Sequence, residues 1–197
     1  MRKSKLLTAA SVIAMIGAFG VQSIAQAAAQ SPATVRTAST AVPQVPTCRL
    51  HQLRLRNGPR VADKTQQNTE LFVLRNNSSR RCRLDGYPVV SLHTARGLPG
   101  RILPFRYRDH GDQMLTNAKP HPVVLVPGGR AYFGINKQTC ISHTTATARY
   151  IYIFPLGQLH QRLPRNPVLG YCGKHDPGHV VDISPFEHTA RAVLAGH

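Results

Sequence analysis

Short runs in which apolar and polar residues alternate, separated by Gly, Pro and Asn, run through most of this chain. That period of two is the signature of half-buried strands, and no stretch after residue 50 holds the 3.6-residue period of an amphipathic helix. Leu53 and Leu55 alternate with Arg54 and Arg56 up to the turn Asn57-Gly58-Pro59. From Thr69 to Arg75 the core Leu71-Phe72-Val73-Leu74 is apolar on both faces, which predicts a central strand, and Asn76-Asn77-Ser78-Ser79 is its turn. Arg81 to Leu84 leads through Asp85-Gly86 into a strand over Tyr87–Leu92 that takes Pro88 near its start. The next stop is Arg96-Gly97. Val123–Val126, the turn Pro127-Gly128-Gly129 and Ala131–Ile135 predict a hairpin. Arg149–Phe154, rich in aromatic and β-branched residues, predicts a second central, buried strand. His179–Ser184 alternates so that Val181 and Ile183 share one face and Asp182 and Ser184 the other. Between these runs Leu98–Pro122 is broken by Pro99, Gly100, Pro104, Gly111, Pro120 and Pro122. It is the longest irregular stretch and the first place to expect a binding surface.

Some seven strands with a cysteine pair near each end predict an all-β fold, an antiparallel immunoglobulin-like β-sandwich with two disulfides; a barrel is the alternative. The likeness is one of architecture only, since the chain has no tryptophan to mark an antibody domain.

The N-terminus changes the setting. Arg2, Lys3 and Lys5 precede an uncharged apolar run from Leu6 to Val21, and the small residues Ala25, Ala27 and Ala29 offer cleavage, the anatomy of an export signal over residues 1–29. The run falls short of the roughly twenty residues that span a bilayer, and no cysteine at the cleavage site can take a lipid. The expectation is a protein without a transmembrane segment in its mature form, secreted, extracellular or in the cell envelope. A Ser/Thr/Ala/Pro/Val-rich linker then covers 30–47, the β-sandwich domain 48–186 and a C-terminal tail 187–197. Cys48, Cys82, Cys140 and Cys172 all follow the signal, and an even count in an exported chain favours two disulfides. Of three connectivities, sequential pairing joins residues 34 and 32 apart and is the one expected. Each such loop is worth about 3 to 4 kcal/mol on the chain-entropy view.

Charge adds a partner class. Loss of Arg2, Lys3 and Lys5 lowers the formal net charge from +17 to +14, carried mostly by arginine. Arginine binds phosphate and carboxylate in bidentate fashion. The densest clusters, Arg80, Arg81 and Arg83, and Arg101, Arg106 and Arg108, are the candidate anion-binding residues. They point to a non-enzymatic binding module for an anionic envelope polymer or another envelope protein. The alternative is an envelope hydrolase that assembles dispersed His and Asp residues. No module for specific nucleic-acid binding is visible.

One segment has a family look. Cys82-Arg83-Leu84-Asp85-Gly86-Tyr87-Pro88-Val89-Val90-Ser91-Leu92, with Cys48-Arg49-Leu50 before it, Leu125-Val126-Pro127-Gly128-Gly129-Arg130-Ala131 after it and the late Cys140 and Cys172, resembles a family of secreted actinobacterial domains described only as of unknown function. The pattern C-x-L-x-G-Y-P-x-V-x-L is its specific part, and the resemblance spans most of Cys48 to Pro185. It implies an exported, disulfide-bonded β-sandwich attached to or released from a bacterial envelope, and it carries over no catalytic residues. Its motifs also have structural reasons. Gly86 suits a positive φ, Pro88 fixes re-entry into a strand, and Tyr87 can bury its ring with its hydroxyl on the backbone.

The remaining motifs offer no chemistry of their own. His175-Asp176-Pro177-Gly178-His179 with Asp182 has metal-ligand residue types, but Pro177-Gly178 makes it a turn on which the two histidines are not aligned. His110 and His121, beside Asp109 and Asp112, form no ligand pattern either. No cofactor or metal is expected. Ser142-His143 is a poor dyad because neighbours on a strand point to opposite faces, and no G-x-S-x-G occurs. No catalytic residue is assigned. Asn76-Asn77-Ser78-Ser79 matches the glycosylation acceptor pattern twice and is expected to be a polar turn.

Overall fold

The computed structural model describes residues 44–59, 61, 66–95, 101–154, 159–164 and 169–195. The export signal, residues 30–43 of the linker and the turn at Arg96-Gly97 lie outside them. The chain is an all-β sandwich with twelve strands among the described residues: β1 Leu53–Asn57, β2 Gln67–Asn76, β3 Cys82–Leu84, β4 Val89–His93, β5 Arg106–Arg108, β6 Val123–Leu125, β7 Arg130–Gln138, β8 Ala146–Thr147, β9 Tyr150–Phe154, β10 Leu159–Arg162, β11 Gly170–Tyr171 and β12 Val180–Ile183. A five-stranded sheet runs β1-β2-β7-β12-β5 and a three-stranded sheet β10-β9-β4; β11 pairs with β8, and β3 with β6. Every pairing is antiparallel except β12 with β5. The one α-helix among the described residues, α1 Ala190–Val193, is a single turn capped by Thr189. No described helix is long and apolar enough to cross a membrane.

The alternation in the sequence sorts side chains as expected. Leu55, Phe72, Leu74, Phe133, Ile135, Val181 and Ile183 from the five-stranded sheet meet Val90, Leu92, Ile151 and Ile153 from the three-stranded sheet in one core. β2 lies between β1 and β7, and β9 between β10 and β4, so both runs expected to be central are central. Phe72 stacks on Phe133 with ring centroids 5.1 Å apart. Both disulfides pair sequentially, Cys48 with Cys82 and Cys140 with Cys172. Gly86 takes φ 76° at its turn, and it is the hydroxyl of Tyr107 that accepts a backbone N–H, from Leu92 at 2.8 Å.

The expected hairpin over Val123–Val126 and Ala131–Ile135 is not formed. β6 pairs with β3, whereas β7 pairs with β2 and β12. The turn at 127–129 therefore passes from one sheet to another. Asn76 holds that crossing: it is fully buried, its side-chain amide donates to the carbonyls of Arg80 at 2.8 Å and Leu125 at 3.0 Å, and its backbone N–H donates to Gly129 at 2.9 Å. A turn signal between two apolar runs specifies a reversal, not a partner, and here the buried asparagine decides it. Among its described residues the irregular stretch contains one strand, β5, recruited to the sheet edge by β12.

The outer face of the five-stranded sheet is crossed in its middle by a small second core, Leu71, Met114, Leu115 and Val193. Two segments form this strap. Residues after Gly111 and residues from Glu187 to Ala195 bond to each other, Thr116 N–H to Val193 at 2.8 Å and Ala195 N–H to Met114 at 3.0 Å, and Glu187 bonds to Tyr132 of β7. Gly134 lets them lie flat, because a Cβ there would stand 2.6 Å from Leu115 Cδ2 and 2.9 Å from Val193 Cγ1. The strap leaves the two ends of the outer face open.

Candidate anion-binding face

At one end the face carries arginine. Burial of Leu55, Leu74 and Ala131 in the core fixes the register of β1, β2 and β7 and sends the alternate positions outward. Arg54 then stands opposite Arg75, and Arg75 opposite Arg130. Three arginines lie abreast on strands about 4.8 Å apart, with Arg56 beside them opposite Val73. All four are exposed. With Val73 and Asn77 they bound a groove of about 300 Å³. Like charges directly across a strand pair oppose the fold, and none of the ion pairs among the described residues involves these four.

A second concavity, of about 470 Å³, begins where that groove ends. Asn77 lines the first and Ser78 the second, together with Arg49, His51, Ser79, Arg80 and Arg81. Its walls are firmly held. Asn77 N–H donates to Gln52 at 2.7 Å, Asn76 Oδ1 accepts from the Ser78 backbone at 3.0 Å and hydroxyl at 2.8 Å, and the Cys48–Cys82 disulfide joins the residue before Arg49 to the residue after Arg81. Glu and Asp are absent from both linings.

The comparisons with known proteins give a family. The one described as Domain of unknown function (DUF4232) matches residues 48–187. The chain belongs to that family. No curated protein and no solved structure matches it.

In this DUF4232 domain the six arginines proposed from sequence divide among different surroundings. Arg80 and Arg81 line the second concavity. Arg83 Nε donates to Asp85 Oδ2 at 2.9 Å. Arg108 grips Asp182 with two hydrogen bonds, 2.6 and 2.8 Å, which hold its proton above the ordinary arginine range. Arg101 and Arg106 are exposed and line neither concavity. Sequence reasoning missed Arg49, Arg54, Arg56, Arg75 and Arg130. The alternation in β1 signals that Arg54 and Arg56 face solvent, but only the register brings Arg75 and Arg130 beside them.

Several acidic residues are engaged elsewhere in the fold. Asp176 accepts from the Ser142 backbone at 2.7 Å and hydroxyl at 2.6 Å and from Gly178 N–H at 2.8 Å, bonds that hold its carboxyl far below the usual carboxylate range. It ties the Cys140 loop to the Cys172 loop and offers no free carboxylate beside His175 or His179. Ser142 thus bonds Asp176 and forms no dyad with His143. Burial raises the pKa of Glu187, against the nearby His121 and His188. At the far end of the sheet Asp112 and Asp182 line a polar hollow of about 390 Å³ with Gln67, Arg108 and Gln138. No histidine enters it. Asp112 accepts from the backbone of Met114 at 2.7 Å and from the Asn136 amide. Asn136 in turn accepts from Thr69 Oγ1 at 2.7 Å and donates to Gln67 Oε1 at 2.6 Å. Among the described residues no group of three His, Cys, Asp or Glu is placed to hold a metal ion.

Proposed function

We propose that this DUF4232 domain is a non-enzymatic binding module, exported to the bacterial envelope or beyond, that holds an anionic polymer on its arginine face. The observation that carries the reading is the row Arg54–Arg75–Arg130, in register on three neighbouring strands with no carboxylate beside it. A row of like charges has a cost in the free protein that an anion relieves. The two disulfides accord with export. A hydrolase draws less support, since the polar hollow with two carboxylates has no histidine and both carboxylates are already engaged.

The test separates a site from diffuse charge. Binding to acidic polymers is measured across a salt series in the parent, in the triple variant Arg54→Ser/Arg75→Ser/Arg130→Ser, and in the equal-charge control Arg101→Ser/Arg106→Ser/Arg149→Ser. Several ionic contacts make affinity fall steeply with salt, by analogy with counterion release from nucleic acid. The face triple variant is expected to lose at least about tenfold more affinity than the control and to flatten the salt slope. Equal losses in the two variants would overturn the reading.

A further inference from the structure

We propose that the concavity of Arg49, Arg80 and Arg81 is a second phosphate subsite, and that it and the arginine groove together take successive phosphates of one linear, base-free phosphate polymer. This rests on the reading of the arginine face as an anion site and specifies its ligand. Three observations lead there. The two hollows adjoin through consecutive residues, Asn77 and Ser78, and neither lining contains an acid. The arginines of the second come from two separate segments, Arg49 from one and Arg80 and Arg81 from the other, with Ser79 in the same lining. A tetrahedral phosphate offers oxygens to donors from several directions, and guanidinium matches it in bidentate fashion. The two segments are clamped by a covalent bond next to the residues that act, since Cys48 precedes Arg49 and Cys82 follows Arg81. The site is thereby set before the ligand arrives, which limits the ordering cost of binding.

The chemistry also narrows the polymer. A nucleic-acid strand is held by aromatic rings on which its bases stack, and His51 is the only aromatic ring in the two linings. A membrane surface calls for apolar side chains among the basic ones. The exposed large hydrophobic residues, Val89, Ile102, Val124, Val126 and Ile141, line neither hollow. A single phosphate fills one hollow, whereas a chain that fills both gains the second contact at high effective concentration.

The experiment measures binding of poly(glycerol phosphate) fragments, from about two to about ten repeats, to the disulfide-bonded protein at low salt. Orthophosphate, polyglutamate and oligo-deoxythymidine of matched charge are the comparison ligands. Affinity is expected to climb at least about tenfold once a fragment reaches across both hollows. Arg49→Ser/Arg81→Ser should abolish that climb and leave the shortest fragments bound as in the parent, while Arg75→Ser/Arg130→Ser weakens every length. An unchanged thermal midpoint checks folding, and Arg80→Ser is read alone if the double variant unfolds. A flat length dependence, or a climb that survives Arg49→Ser/Arg81→Ser, overturns the second subsite while salt-sensitive binding to the groove keeps the anion reading. Failure of every acidic ligand to bind overturns both. Equal affinity for polyglutamate removes the preference for phosphate, and tighter binding of oligo-deoxythymidine replaces the base-free polymer with a nucleic acid.

Discussion

Both ends of the outer face of the five-stranded sheet present arginine, and they differ in what stands across the strand boundary. At the polar end Arg108 faces Asp182 on β12 and is held by two hydrogen bonds. Beside it Asn136 is knitted to Thr69, Gln67 and Asp112. At the other end Arg75 faces arginine on both sides. The same alternation and the same core produce both arrangements. The polar end satisfies its charges within the fold, whereas the arginine end sets three cations side by side with no ion pair to them among the described residues. A row of like charges that works against stability is where a ligand is to be sought.

The largest effect tests what the two ends share. Phe72 is fully buried in the core between the sheets and stacks on Phe133, so Phe72→Ala is expected to remove about 3 to 5 kcal/mol of stability in chemical denaturation. A loss under about 0.5 kcal/mol, the range of surface substitutions, would show that the two ends do not rest on a common core.

A pH titration sharpens the contrast next. Lys137, on the inner face beneath the polar end, is buried, and burial lowers its pKa to about 8 against an opposing pull from Asp176, while its Nζ donates to the Gln138 carbonyl at 2.6 Å. Below about 8 both folded and unfolded chains carry the proton. Between there and the ordinary lysine value of 10.5 the folded chain has released it and the unfolded chain has not. Stability therefore rises with pH across that window, by about 2 to 3 kcal/mol at most. Tyr107, whose burial lifts its pKa to about 12, contributes no change until pH exceeds about 10. Denaturation midpoints for the parent and Lys137→Met should diverge at neutral pH and converge as pH rises; parallel profiles would contradict the burial of that amine.

Asn136→Ala deletes the junction of the amide network and leaves Thr69, Gln67 and Asp112 short of a partner. The expected loss is about 1 to 3 kcal/mol, read from the thermal midpoint, and a neutral result would mean that water serves these groups equally well. The smallest effect carries the clearest sign. Arg75→Thr relieves two like-charge contacts and should leave stability unchanged or raise it by about 0.2 to 1 kcal/mol, while Arg108→Thr should lower it by a similar amount through loss of the Asp182 pair. Two changes of the same sign would erase the distinction between the ends.

Much of the fold is visible in residue order because burial acts on single strands. Leu71-Phe72-Val73-Leu74 and Ile151-Tyr152-Ile153 declare themselves central by composition, and the cysteines pair in sequence. The hairpin at 127–129 misleads because a Pro-Gly-Gly turn is satisfied equally by a reversal within a sheet and by a crossing between sheets. The parallel entry of β5 beside β12 is likewise beyond local reading, since Arg106-Tyr107-Arg108 is a strand only when an edge is there to receive it. Residues past Phe186 read as a tail, yet Val193 is fully buried in the strap; a one-turn helix has too few positions to display a period.

The candidate site divides along the same line. Arg80 and Arg81 were legible as a dense cluster, but Arg83 and Arg108 of the same clusters are engaged with Asp85 and Asp182, and density along the chain does not reveal such partners. Arg54, Arg75 and Arg130 are far apart in sequence, and nothing local to any one of them names the other two. The sequence by itself determined the β class, the sulfur pairing, the strongly basic balance and which side of each strand meets the core, because alternation and composition are local properties. The tertiary structure alone decided which strands are neighbours and in what register. Charge interacts across that register, at distances of a few ångströms, and so the arginine row exists only in the folded sheet.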